Sequence, residues 1–111
     1  MNKQTKALAI PKAVKDAVFQ RDGGRCVLCR SPLGEPVCHV IRRSQSGKGI
    51  EQNIVTLCPN CHRAYDEGEN LWRFGKGVTR ENLYCRIVAH LKGFYPDWSR
   101  DEMVYKKGDE I

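Results

Sequence analysis

The chain has 111 residues, with 19 Lys and Arg against 13 Asp and Glu, for a formal net charge of +6. That length suits one compact domain and leaves too little chain for two of ordinary size. No apolar run approaches the ~18 residues of a membrane span, and the start, MNKQTKALAIPK, lacks the apolar stretch of a secretory leader. The chain is therefore expected to be intracellular and cytoplasmic, with no membrane partner. Its basic balance points to nucleic acid or another anionic surface, although solubility alone accounts for it equally well. No repeat of fixed period or low-complexity segment is present.

Pro11 stands where helices like to begin, and Val14, Val18 and Phe19 fall on one face after it. This N-terminal helix, at about 11–21, is expected to stop at Arg21-Asp22-Gly23-Gly24, where two glycines permit a sharp turn. CVLC follows at 26–29, then a turn at Ser31-Pro32-Leu33-Gly34. PVCHVIR at 36–42 reads as a strand, SQSGKG at 44–49 as a loop, and NIVTL at 53–57 as a second strand. Pro59 opens a helix that Gly68 can close. Thr79 is a plausible N-cap for a helix from about Arg80 to Lys92, with Leu83, Ile87 and Leu91 as its buried stripe. FYPDW at 94–98 breaks that helix. Trp72 and Trp98 are read as core anchors rather than base-stacking platforms, because small domains need large apolar side chains. The final YKKGDEI reads as a loosely ordered tail.

Four cysteines carry the strongest signal. Cys26-x-x-Cys29 and Cys58-x-x-Cys61 are two knuckles with 28 residues between them. A two-residue gap lets both sulfurs of a knuckle reach one ion, and two knuckles complete a closed tetrahedral set, the structural form of zinc binding. A disulfide pair or a redox CxxC would use the same residues, but the paired spacing and the intracellular reading favour metal. A zinc staple also offsets the modest core that a chain of this length can bury.

A second group lies between and beyond the knuckles: Cys38-His39, Asn53, and then His62 with Asp66. His62 and Asp66 are spaced i, i+4, so on a helix from Pro59 they share a face and can share an ion. Asp66 falls toward the helix C-terminus, where the dipole disfavours an anion, and a bound cation would remove that conflict. Taken alone, an acidic turn beside a core or capping histidine explains both residues at least as well.

In combination, CVLC, CHVIRRSQSGKGIEQN and IVTLCPNCHRAYD resemble the HNH endonucleases of the ββα-metal class. IPKAVKDAVFQRDGGRC is similar to the lead-in of small phage-type members of that family. The likeness covers about half the chain closely and most of it loosely. It implies an α+β fold: a ββα-metal (HNH) core with a four-cysteine zinc knuckle site and flanking helices. A single HNH nuclease domain over 1–111 is expected, its zinc and HNH core at about 24–70 and a C-terminal helical segment at about 79–98.

The resemblance implies a role for each residue. His39 would be the general base that takes a proton from the attacking water. Asn53 would hydrogen-bond backbone across the loop and hold His39 in orientation. His62 and Asp66 would hold a catalytic divalent ion, Mg²⁺, Mn²⁺ or another transition ion, beside a scissile phosphate. Arg42, Arg43 and Lys48 would clamp phosphates, although solvated loop charges explain each of them singly just as well. Many members carry Asp or His immediately before the base, where this chain has Cys38. A thiolate there suits Mn²⁺, Zn²⁺ or Ni²⁺ and serves Mg²⁺ poorly; a small buried residue is the favoured alternative. The activity implied is metal-dependent hydrolysis of phosphodiester bonds in DNA with low sequence specificity. The rivals are a zinc-stabilised nucleic-acid-binding module without catalysis and an interaction protein of a phage packaging or repair complex.

Overall fold

The computed structural model describes residues 3–106. Its element order is α1 (Lys3–Leu8), α2 (Lys12–Arg21), β1 (Glu35–His39), β2 (Ile54–Leu57), α3 (Pro59–Glu67) and α4 (Arg80–Phe94), with short 3-10 turns between. The two strands pair antiparallel, with Cys38 opposite Val55 and His39 opposite Ile54. Helix α2 packs on both strands, and α3 packs against β2 and α4. The fold is α+β, and β1, β2 and α3 are its central ββα unit. Among the described residues no helix is long and apolar enough to cross a membrane.

Local chemistry explains most boundaries. Pro59 occupies the first turn of α3, the Cys58 sulfur caps it by accepting the Cys61 N–H, and Gly68 ends it in the left-handed region at φ 74°. Thr79 and Asn82 form a reciprocal capping box at the start of α4. Leu83, Ile87 and Leu91 are then fully buried along one stripe. All four residues of β2 are buried, because helices cover the strand and its β-branched side chains fill the space beneath them.

Three expectations need correction. The first strand ends at His39 rather than at Arg42. Asn53 is the reason: its amide accepts the Ile41 N–H at 2.8 Å and donates to the Ile41 carbonyl at 3.1 Å, replacing the ladder bonds of a longer strand. Phe19 is 40% exposed and lies over Gly24, leaving Val18 as the one fully buried residue of α2. Trp72 is not a core anchor, being 75% exposed. It lies in the 3-10 turn Leu71–Phe74, where side chains three apart eclipse one another. Leu71 and Phe74 take the inner face of that turn and leave Trp72 outside. Trp98 does anchor the core, donating its indole N–H to the Gln52 carbonyl at 2.6 Å. Helix α1 is an addition to the elements legible in the sequence. Of the expected tail, Tyr105 donates its N–H to the Ser46 carbonyl at 2.7 Å, and residues 107–111 lie outside the described residues.

A buried charge network ties α2 to β2 and α4. Asp22 accepts from Arg21 Nε at 2.8 Å, from His90 Nε2 at 2.7 Å and from the Thr56 N–H at 2.9 Å. Arg21 also donates to the Glu51 and Ile54 carbonyls. Burial pushes the Asp22 carboxyl up, but hydrogen bonds from His90 and Arg21, with the Arg21 charge and the Thr56 N–H, outweigh it and hold the group down at about 2, against an ordinary 3.8. A carboxyl with a lowered folded pKa stabilises the fold above its unfolded pKa and loses that contribution as pH falls through the folded value. Asp22→Asn is therefore expected to cost about 3 kcal/mol at pH 7, since it leaves Arg21 buried without its counter-ion. The gap to wild type should narrow between pH 4 and 2. Urea unfolding of both proteins across that range checks the outcome; equal stability at pH 7 would refute it.

Candidate functional site

The four knuckle cysteines converge. Cys26, Cys29, Cys58 and Cys61 bring their sulfurs within 4.8 Å of one another, with Cys29 and Cys58 at 3.6 Å. Four thiolates about 2.3 Å from a central zinc would stand about 3.8 Å apart, so the donor set fits that ion. The N–H of Cys29 points at the Cys26 sulfur and that of Cys61 at the Cys58 sulfur, at 3.4 and 3.5 Å. These donors stabilise thiolate. Crowding also separates the acidities: a hydrogen bond from the Cys61 thiol holds Cys26 well below an ordinary thiol, and the same contact pushes Cys61 up. Three of the four cysteines are buried in the main hydrophobic cluster, so a zinc held here would brace the loop before β1 against the start of α3.

One residue beyond Cys61, the helix turns its side chains elsewhere, because each step rotates by about 100°. His62 Nε2 donates to Asp66 Oδ2 at 2.9 Å, one turn further along α3. These two and the Cys38 sulfur form a second cluster of possible metal ligands within 4.8 Å of one another. Cys38 is fully buried, and that burial pushes its thiol well above the ordinary range. The hydrogen bond to Asp66 holds His62 above an ordinary imidazole, against the effect of burial. A sulfur, a nitrogen and a carboxylate on adjoining elements could together hold a divalent transition ion.

His39, at the end of β1, lines the same cleft as His62, Asp66, Arg42 and Arg43. Its Nε2 lies 2.8 Å from the Leu8 carbonyl on α1. A carbonyl only accepts, so Nε2 carries the hydrogen and Nδ1 keeps the lone pair of the neutral ring. Burial pushes this imidazole below its ordinary value; the Arg43 charge adds to that, while the Leu8 carbonyl and Asp66 oppose it. Asn53 is fully buried beneath the loop. Besides its two bonds to Ile41, its amide donates to the Lys48 carbonyl at 2.8 Å, and its own main-chain carbonyl accepts the Val40 N–H. It thereby clamps the backbone just after His39. Lys48 itself faces elsewhere, lining a separate depression with Asp101 and Glu102.

Three contributors give no sign of themselves in the sequence. The Leu8 carbonyl belongs to a short helix without an amphipathic signature. Helix α1 can reach His39 because Gly49 has no Cβ: one added there would collide with the Ala9 carbonyl, and the Gly49 N–H donates to the Ala7 carbonyl. Tyr65 donates its hydroxyl to the Val40 carbonyl at 2.6 Å, fixing α3 against the end of β1. Arg80 donates to the Tyr65 and Asp66 carbonyls, capping the helix that carries the second cluster. A basic residue on a different helix carries no local mark of that bond.

An antiparallel hairpin and a helix bring Cys38, His62 and Asp66 together beside a four-cysteine knuckle, the arrangement of a ββα unit that could hold a metal. Residues 26–68 match the family model described as HNH endonuclease. That segment, about two fifths of the chain, is similar to an HNH domain, and its four cysteines would fit a zinc-binding member of that family. The family suggests nuclease or nucleic-acid-binding function, and its domains commonly bind DNA. A curated protein, anaredoxin from Nostoc sp. (strain PCC 7120 / SAG 25.82 / UTEX 2576), is 48% identical over 31 residues, covering 28% of this chain. The match spans 41% of that relative's length.

Proposed function

We propose that the protein is a metal-dependent endonuclease that hydrolyses phosphodiester bonds in DNA with low sequence specificity, His39 being the general base. The observation that carries this reading is the shared cleft, where His39 faces the His62–Asp66 pair with Arg42 and Arg43 alongside. His39 Nδ1 takes the proton as a water oxygen attacks phosphorus, and the bond from phosphorus to the 3′ oxygen breaks. The departing 3′ oxygen takes its proton from solvent. Asn53 keeps the backbone at Ile41 in place and so steadies the end of β1. Arg42 and Arg43 hold the phosphodiester by charge-assisted hydrogen bonds. A divalent ion bound by His62 and Asp66, with Cys38 beside them, would supply Lewis-acid stabilisation of the charge growing on the phosphate and leaving oxygens. The HNH match of residues 26–68 supports the same assignment.

Phosphate contacts, rather than base-edge readers, are what the cleft offers, so affinity should fall steeply with salt and vary little with sequence. The deciding experiment incubates supercoiled plasmid with the protein and added Mg²⁺ or Mn²⁺. Nicked and linear products are expected, and a chelator should abolish them. Salt-dependent binding without any nicking would replace this reading with the non-catalytic binding module. Absence of both binding and nicking would remove DNA as the substrate.

A further inference from the structure

A second groove adjoins the catalytic cleft, and the two share Arg42. Arg80, at the first turn of α4, and Arg100, in the 3-10 turn Arg100–Met103, line it together with Tyr84 and Glu81. Both arginines lie outside the segment that matches the HNH family, residues 26–68.

What holds these three guanidinium groups is neutral. Arg42 Nη2 donates to the Tyr65 carbonyl at 3.3 Å. Arg80 Nε donates to the same carbonyl at 2.9 Å and its Nη2 to the Asp66 carbonyl. Arg100 Nη2 donates to Gln45 Oε1 at 3.4 Å, and its guanidinium lies 5.8 Å from the centre of the Tyr84 ring. Among the described residues none of the three joins an ion pair, whereas Arg21, Arg63, Lys12 and Lys106 all do. Their side chains are thus oriented without their charges being neutralised. Each guanidinium has five N–H donors, so most remain available to a ligand. The N-terminus of α4, a 15-residue helix, adds its positive end to the groove. Glu81 is the one carboxylate on the lining, against three arginines.

We infer that this groove is a second phosphate subsite, which carries the DNA backbone away from the scissile bond along Arg42, Arg80 and Arg100. The inference rests on DNA being the substrate class. Oriented but unneutralised guanidinium groups suit a phosphodiester, which accepts planar, bidentate donation. A duplex backbone leaving the cleft past Arg42 meets Arg80 and Arg100 in the groove that shares it. Two of these arginines also cap α3, whereas Arg100 does not, so Arg100 separates phosphate binding from helix capping.

The test measures duplex binding by the full chain across a salt series, with His39→Ala as the background so that DNA stays intact. Removing one phosphate-binding arginine should reduce the slope of log K against log salt by about 0.9 and weaken binding about eightfold at 0.1 M salt. Arg100→Gln should show one such step, and Arg80→Gln with Arg100→Gln about two. In the cleaving protein the same changes should raise KM for DNA. Wild-type affinity and slope in Arg100→Gln overturns the subsite, whatever Arg80→Gln does to folding. Arginine-dependent binding by a protein that never nicks DNA sustains the subsite while the nuclease reading fails. No DNA binding by the wild type overturns both.

Discussion

His39→Ala is expected to lower DNA cleavage by ~10²–10⁴-fold while leaving the fold and DNA affinity close to wild type. The imidazole ends β1 with its Nε2 committed to the Leu8 carbonyl, so its remaining nitrogen is the one basic atom it offers to the cleft. Alanine removes that base but none of the arginines that line the same space. Affinity and catalysis should therefore separate cleanly. Nicking rates under saturating DNA give the first quantity, and binding to an uncleaved duplex with circular dichroism gives the others. Wild-type nicking speed in His39→Ala would show that another group serves as base.

Cys58→Ala should act on the fold itself. Structural zinc in small domains contributes on the order of 10–16 kcal/mol at neutral pH, comparable to the ~5–15 kcal/mol total stability of a domain. Cys58 also caps α3 by accepting the Cys61 N–H, so its replacement removes both a metal ligand and a helix cap. The variant should lose bound zinc and unfold at room temperature. Asp66→Ala should behave in the opposite way, keeping its zinc and its melting temperature while losing metal-stimulated cleavage. Mild chelation should copy Asp66→Ala, with Mn²⁺ or Mg²⁺ restoring activity, and harsher chelation should copy Cys58→Ala. Zinc content by mass spectrometry and thermal melts distinguish the two classes. An unfolded Asp66→Ala, or a Cys58→Ala that melts like wild type, would sink the separation of the two sites.

Features with local causes are the ones legible in the sequence. Pro59 and Gly68 bracket α3 and Thr79 caps α4, because proline, glycine and capping hydroxyls act within one helical turn. The knuckles are readable because both sulfurs of a pair must reach one ion from adjacent backbone. Asn53, His62 and Asp66 stand out in the sequence only through the resemblance to the HNH family; alone, His62 and Asp66 read as an acidic turn beside a core or capping histidine. Trp72 defeats the same reasoning, because apolar content does not say which side of a four-residue 3-10 turn faces the core. The Arg21–Asp22–His90 network joins residues 68 positions apart, so neither end announces the other. Arg80 is the same case, a surface-looking basic residue whose acceptors belong to a different helix.

The contact between Leu8 and His39 bears on how this molecule divides its labour. A fragment trimmed to residues 26–68 would keep every letter by which the family is recognised. It would lack the carbonyl that decides which imidazole nitrogen is protonated, the helix α1 that Gly49 leaves room for, and the Arg21–Asp22 pair beside the sheet. The recognisable unit is therefore smaller than the unit that positions His39. Sequences that preserve the hairpin and helix yet change what precedes them could retain the motif while tuning the protonation of its histidine from outside.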